Sequence, residues 1–259
     1  MATRTLFPDD VRPDFAGFSP AAFKVLRGLK RNNDRAWFQK NKEVYDSEVK
    51  FAMECLVAEF GRDRRTGLPV FGDPKSSIFR VYRDTRFSRD KTPYKTHCGA
   101  VLSRTARKGD PGLVYIHLAP GESFVSSGFY RPDPDLLLAW RRRMTANPKE
   151  FLTLVKAYAR KGKYYMRSIS ELKTMPRGFA EHATGPVADY LRWESFLITR
   201  DVADKDMQSR ALVKIVREMA GTARPLLNYG WNLWDQVVGT REDARQTSRG
   251  LKELHEEAF

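Results

Sequence analysis

Cysteine and long hydrophobic runs are scarce in this sequence. Cys55 and Cys98 are the only cysteines among 259 residues, and they lie too far apart for a CxxC pair. Disulfide frameworks and cysteine-rich zinc modules need more cysteines at closer spacing, so both classes are excluded. The longest uninterrupted apolar run, Leu136–Trp140, is far shorter than the roughly 20 residues that cross a bilayer. We therefore expect two buried free thiols and no membrane-spanning segment.

Familiar catalytic motifs are also missing. The sequence contains no GxSxG motif, no P-loop, no HExxH motif and no dinucleotide-binding glycine pattern. His97, His117 and Glu122 do not match a zinc-ligand spacing, so we expect no metal, and nothing indicates a cofactor. The N-terminus carries acids and prolines where a secretory signal has an apolar stretch, which favours a cytoplasmic protein.

Positive charge is what the sequence has in excess. Its 46 Lys and Arg residues against 32 Asp and Glu residues give a net charge of +14. Hydrophobic residues make up 41% of the chain, which is enough for an ordinary globular core. A positive surplus favours polyanionic or phosphorylated partners, although by itself it specifies neither a fold nor a site.

Helix caps and apolar spacing predict the helices. Ser19-Pro20 begins a helix that ends near Asn32, and Asp34 begins a longer helix that runs to Gly61. Further helices are predicted at 133–140, 147–160 and 206–219. The highly charged residues from Thr240 onward predict an exposed helix or a frayed tail.

Alternating apolar residues predict the strands. They lie at 78–83, 97–104, 113–119, 123–130 and 195–199. Residues 161–186, which contain three glycines and two prolines, predict a long connection with one short helical piece. Strands followed by helices indicate an α+β fold, with a single antiparallel sheet of about five strands covered by helices. We assign residues 1–238 to a single domain and 239–259 to a charged C-terminal helix or tail.

One segment concentrates the positive charge. Between positions 80 and 95 the chain reads RVYRDTRFSRDKTPYK, in which six bases accompany two acids. Arginine guanidinium groups offer five donors in a planar fork that fits carboxylate or phosphate, so this pattern predicts an anion site. The candidate ligand-binding residues are Arg80, Arg83, Arg86, Asp90, Lys91 and Lys95. Because alternate strand residues face opposite ways, these side chains converge only if the loop after Asp84 folds back.

Acid–base groups occur in the same segment. Asp84, Tyr94 and His97 are the candidate catalytic residues, since each can hold or move a proton. Neighbouring arginines would lower the pKa of His97 and keep it neutral near pH 7. In the competing interpretation, Asp84 and Asp90 belong to an internal salt-bridge lattice that pins the loop. We expect Phe87 to anchor the loop by packing rather than to contact a ligand.

The basic segment also carries a family signature. It resembles RxxRDxRFxxDKxxY, the pattern of a widespread bacterial and fungal group, domain of unknown function twenty-four sixty-one. The phrases FAGFSP, NNDRAWF, PYKTHCGA, HLAPGESF, SGFYRPDP and MPRGF follow the family in the same order, so the resemblance covers about residues 15–235. Ser126-Ser127-Gly128 departs from the family, which tends towards a run of glycines there. The resemblance implies no particular activity.

Three functions remain open at this stage. The leading hypothesis is a cytoplasmic domain that binds a phosphate- or carboxylate-bearing small molecule within residues 80–97, with acid–base catalysis there as an open question. The alternative is a nucleic-acid-binding protein that uses a broad basic face without catalysis. The third is an interaction module in which the basic loop is purely structural. The sequence leaves the substrate and the oligomeric state undetermined, and we expect no membrane partner.

Overall fold

The structure is a computed structural model that describes residues 12–62, 67, 69–159 and 162–256. The N-terminal stretch that bears on secretion, residues 1–11, lies outside the described residues, as do the last three residues of the predicted tail. Among the described helices, none is both long and apolar enough to cross a membrane.

The first two predicted helices are confirmed, and their caps explain where they begin. In helix α1 (Pro20–Arg31), the Ala22 amide donates to the Ser19 hydroxyl at 3.2 Å. In α2 (Arg35–Val44), the Trp37 amide donates to the Asp34 carboxylate at 2.8 Å. A π-helical segment (Tyr45–Lys50) joins α2 to α3 (Phe51–Arg62), so the longer helix is continuous with one widened stretch.

A five-stranded antiparallel sheet forms the middle of the chain, which confirms the α+β prediction. Its strand order is β1-β2-β3-β5-β4. The strands are β1 (Cys98–Ser103), β2 (Leu113–Leu118), β3 (Phe124–Phe129), β4 (Tyr165–Arg167) and β5 (Phe196–Asp201). Four of them match predicted strands, but β4 falls in the stretch predicted as a connection. Its three residues are too few to show the alternation from which a strand is recognised.

The strand predicted at 78–83 is wrong. Residues 78–97 form instead an irregular two-limbed extension, which we call the arm, beside the free edge of β1. Only single bridges pair it, between Ile78 and Ala100 and between Tyr82 and Tyr94. A continuous ladder is interrupted because Pro93, opposite Arg83, has no amide hydrogen to donate.

The remaining helices complete the fold. They are α4 (Pro74–Ser77), α5 (Pro134–Ala146), α6 (Pro148–Ala159), α7 (Ala188–Leu191), α8 (Asp204–Met207) and α9 (Ala211–Glu256). The helix predicted at 206–219 therefore begins later, at Ala211, and it continues through the predicted tail to Glu256. The preceding turn stays separate because the Met207 carbonyl accepts a hydrogen bond from the Phe18 amide at 3.0 Å.

The two faces of the sheet have different surroundings. Ala100, Ile116 and Ile198 are fully buried and belong to the single large hydrophobic core, where α3 contacts β1 and α9 contacts β2 and β3. Residues of the opposite parity lie on the other face, among them Tyr115 and His117, which are partly exposed. The side chains on one face of the sheet therefore pack into the core, and those on the other face line a cavity.

Candidate functional site

A basic cavity lies between the arm and the helical region formed by α2, the π-helical segment and the start of α3. Its volume is about 770 Å³. Seven bases and two acids of the described chain line it: Arg12, Lys42, Lys50, Lys75, Arg80, Lys95 and Lys108, with Asp46 and Glu54. The excess of positive charge in a concave space is the first mark of an anion site.

Both acids of this cavity are already engaged. Asp46 pairs with Lys42 one helical turn away, and Glu54 pairs with Arg12 at 2.8 Å and with Lys50 at 3.8 Å. These pairs offset two of the three positive charges that take part in them, so this side of the cavity keeps only a small positive surplus. The opposite wall, which the arm and Lys108 form, carries further positive charge.

Three cations on that opposite wall form no ion pair with a described carboxylate, although the Asp84 carboxylate is near enough to Arg80 for the two charges to attract each other. Arg80 makes no hydrogen bond within the described part of the chain, and the Lys95 ammonium lies 5.3 Å from the centre of the Phe79 ring. Lys108 lies over the same ring at 5.6 Å and donates to the Ile78 carbonyl at 2.7 Å. Burial lowers the pKa of Lys95, and the charges of Arg80 and Lys108 lower it further. These cations repel one another, so a bound anion would stabilise the group.

The tip of the arm, residues 83–92, is held together by its own charges. Arg83 pairs with Asp90 and also bonds to Thr92. Asp84 accepts from Arg86 at 2.8 Å. The loop folds back after Asp84, which the anion-site hypothesis requires. The contacts that hold it are nevertheless the internal salt bridges of the competing interpretation. Of the six predicted ligand-binding residues, only Arg80 and Lys95 line the basic cavity.

The carboxylates of the tip are ionised because of these contacts. The hydrogen bond from the Arg86 guanidinium lowers the pKa of Asp84 to about 2. The Thr92 amide and then Arg83 lower the pKa of Asp90 to about 2. Lys91 donates to the Thr85 carbonyl at 2.9 Å.

The anchor role predicted for Phe87 is wrong, since this side chain is 95% exposed at the end of a loop with no apolar neighbour to cover it.

The three candidate catalytic residues do not lie together. Asp84 is at the exposed tip of the arm. Tyr94 is buried in the core, where its ring stacks on Phe38 at 4.1 Å and burial raises its pKa. His97 lies at the base of the arm and lines a second cavity, over the partly exposed face of the sheet.

This second cavity, the sheet-face cavity, has a volume of about 670 Å³. The antiparallel register places Gly99 opposite His117, which brings the rings of His97 and His117 to 4.3 Å between centroids. The His117 ring stacks on Phe124 at 4.5 Å, and its Nδ1 atom lies 3.1 Å from the Tyr115 hydroxyl.

Both histidines are held neutral. Burial lowers the pKa of His117 to about 3, assisted by the charges of His97 and Arg167. Burial also lowers the pKa of His97, with a smaller contribution from Lys95. The direction for His97 is as predicted, but the cause is burial and a lysine rather than neighbouring arginines. No group of three or more His, Cys, Asp or Glu residues in the described part of the chain could hold a metal ion.

The two cysteines are buried free thiols, as predicted. Cys98 also contributes to the basic cavity, together with Tyr45. Burial raises the pKa of the Cys98 thiol to about 12 and raises that of Tyr45 well above its usual value. Both groups therefore stay protonated at neutral pH, and neither can serve as a base or a thiolate nucleophile.

The comparisons with known proteins agree with the resemblance seen in the motifs. A family model described as a conserved hypothetical protein, DUF2461, matches residues 21–229. The chain belongs to this family. No curated protein and no solved structure matches it. The DUF2461 match spans the arm, all five strands and most of the lining of both cavities; Arg12 of the basic cavity and Trp234 of the sheet-face cavity lie outside it.

Several residues of this DUF2461 site are missed by sequence reasoning. Lys42 and Lys108 come from opposite sides of the arm in sequence, and both look like ordinary surface lysines. Tyr115, Phe124 and Arg167 line the sheet face. For Tyr115 a usable signal exists, because the alternation of LVYIHL places Tyr115 and His117 on the face opposite Val114 and Ile116.

Proposed function

We propose that this chain is an anion-binding domain that takes a phosphate- or carboxylate-bearing small molecule in the basic cavity. The observation that carries the proposal is the cluster of Arg80, Lys95 and Lys108, of which Arg80 and Lys108 both repel the Lys95 charge and none forms an ion pair with a described carboxylate. A fold gains little by bringing such charges together unless an anion occupies the space that they share.

The shape of the cavity favours a small molecule over a nucleic acid. The cations lie inside a concave space of about 770 Å³, which is within the usual range for small-molecule sites, about 300–1,000 Å³. Duplex or single-stranded nucleic acid is more often bound along an extended basic groove or face. Two of the three arginines of the arm tip do not extend the cavity into such a face, because Arg83 and Arg86 are paired with Asp90 and Asp84.

Arg80→Gln is expected to weaken the binding of inorganic pyrophosphate by about tenfold or more, since a charge-assisted arginine contact is lost. The matched control is Arg89→Gln, which removes the same charge from an exposed position of the arm tip with no described partner. We expect Arg89→Gln to leave the affinity within about twofold, because exposed charges are screened. Isothermal titration calorimetry on the full chain measures both affinities.

Equal effects of the two substitutions would contradict the cavity and indicate diffuse attraction by net charge. Salt provides the second readout. A ligand held by one or two phosphates loses affinity modestly with salt, whereas a nucleic acid that contacts many phosphates loses roughly 10³–10⁵ between 50 and 200 mM salt. Binding of a random oligonucleotide with that steep dependence, and no binding of pyrophosphate, would favour the nucleic-acid alternative.

A further inference from the structure

We infer that the ligand of this site is a phosphate ester that carries an aromatic ring, here called an aromatic phosphate and exemplified by a nucleotide, with its ring in the sheet-face cavity and its phosphate in the basic cavity. This inference rests on the proposed function and adds the part of the ligand that the cations do not recognise. It follows from how the two cavities adjoin and from what lines the second one.

The two cavities share one wall. Phe79, Lys95 and Lys108 line both of them. The two ammonium groups lie over the Phe79 ring at 5.3 and 5.6 Å, so positive charge is fixed at the boundary between the cavities. A ligand with its phosphate at this boundary would extend its remaining atoms either into the basic cavity or across the sheet.

The sheet-face cavity offers aromatic rings to such an extension. The Tyr115 ring centre lies 6.0 Å from that of Phe79 and 5.8 Å from that of Phe124. Trp234 and Tyr130, which is 52% exposed, line the same space. Aromatic surfaces bind a planar ring by stacking and edge contacts, and they do so for many kinds of ring.

The backbone is shaped to keep the Tyr115 ring in place. A Cβ atom at Gly99 would lie 2.6 Å from the Tyr115 hydroxyl oxygen and 2.9 Å from a carbon of its ring. The ring therefore lies directly over the backbone of β1, in a position that any side chain at 99 would block. On the neighbouring strands of the same sheet face, the Arg167 guanidinium lies over the Phe124 ring at 5.4 Å and donates to Thr199 at 3.1 Å. These contacts hold the Phe124 ring in place.

Size and charge point the same way. A cavity of about 670 Å³ is much larger than a phosphate ion needs and matches an organic molecule of nucleotide size. This cavity carries less net charge than its neighbour, because Asp110 and Asp133 line it beside four cations, Lys95, Lys108, Arg131 and Arg167, and its His97 is neutral. An aromatic cavity of lower net charge beside a strongly basic cavity is the complement of a molecule that has a ring at one end and a phosphate at the other.

The test compares adenosine monophosphate, phenyl phosphate and inorganic phosphate by calorimetry on the full chain. We expect at least one of the two aromatic phosphates to bind about tenfold more tightly than inorganic phosphate, in line with the usual effect of stacking. Phe124→Leu should remove most of that advantage and leave the affinity for inorganic phosphate within about twofold. The matched control Phe87→Leu, at the exposed tip of the arm, should retain the advantage.

The outcomes separate this inference from the proposed function. If inorganic phosphate binds and neither aromatic phosphate binds more tightly, the inference is overturned while the anion site stands. If none of the three binds, the proposed function fails and the inference fails with it. Should Phe124→Leu not fold, the proton NMR spectrum of the bound ligand decides. Its ring protons should shift upfield next to aromatic faces, and unshifted ring protons would refute the ring cavity.

Discussion

Gly128→Ala is expected to destabilise the protein by about 3 kcal/mol or more, because overpacking and backbone strain combine. Gly128 has a φ of 135°, a conformation that side chains rarely adopt. A Cβ atom there would lie 2.1 Å from the Phe196 carbonyl oxygen on the neighbouring strand β5. The glycine at this position thus allows β3 to pair closely with β5. The free energy of unfolding, determined by urea titration of wild type and variant, measures the loss of stability.

Gly121→Ala is the matched control for that substitution. Gly121 has a φ of 76°, but a Cβ atom there would meet nothing within 4 Å. We expect a cost of about 1 kcal/mol from the backbone conformation alone. If the two variants proved equally stable, close contact between β3 and β5 would not be the reason for glycine at position 128.

Lowering the pH from 8 to 5 is expected to cost about 2 kcal/mol of stability through His117. Its pKa in the folded protein is lowered to about 3, chiefly by burial, whereas an unfolded histidine titrates near 6.5. The unfolded chain therefore binds a proton below about pH 6.5 that the folded chain refuses. The stability contributed by neutral His117 is complete above that pH, and it decreases as the pH falls towards 3.

Urea unfolding at pH 8 and pH 5 measures this effect in the wild type and in His117→Asn. The variant should lose about 2 kcal/mol less between the two pH values, because asparagine cannot bind the proton. In NMR spectra of the wild type, the His117 ring signals should stay at their neutral positions down to pH 5. A titration midpoint near pH 6.5 would show that the ring is solvated and would contradict its burial.

Much of the fold can be predicted because its signals are local. Ser19 and Asp34 cap helices through contacts three residues away, and the alternation of β2 is contained in six residues. The arm cannot be predicted in this way. Residues 78–83 alternate like a strand, but whether they form one depends on pairing with a limb that contains Pro93. The short strand β4 exists only because β5, thirty residues later in the chain, lies beside it.

The site is harder to predict than the fold because neighbours in sequence do not remain neighbours in space. Arg80 and Arg83 are three residues apart, but Arg80 lines the basic cavity and Arg83 pairs with Asp90 at the tip. Lys108 reaches the same cavity from beyond β1. Composition indicates an excess of cations, whereas only the folded chain distinguishes cations that are already paired from those that are not.

Anomalous diffraction from crystals soaked in tungstate tests the anion site most directly, since tungstate carries the charge of phosphate and scatters strongly. We expect one ordered anion in the basic cavity, within hydrogen-bonding distance of at least two of Arg80, Lys95 and Lys108. The paired arginines of the arm tip, Arg83 and Arg86, should bind none. Tungstate at the tip with an empty cavity, or no ordered anion at all, would contradict the account and leave the arm as a structural clasp.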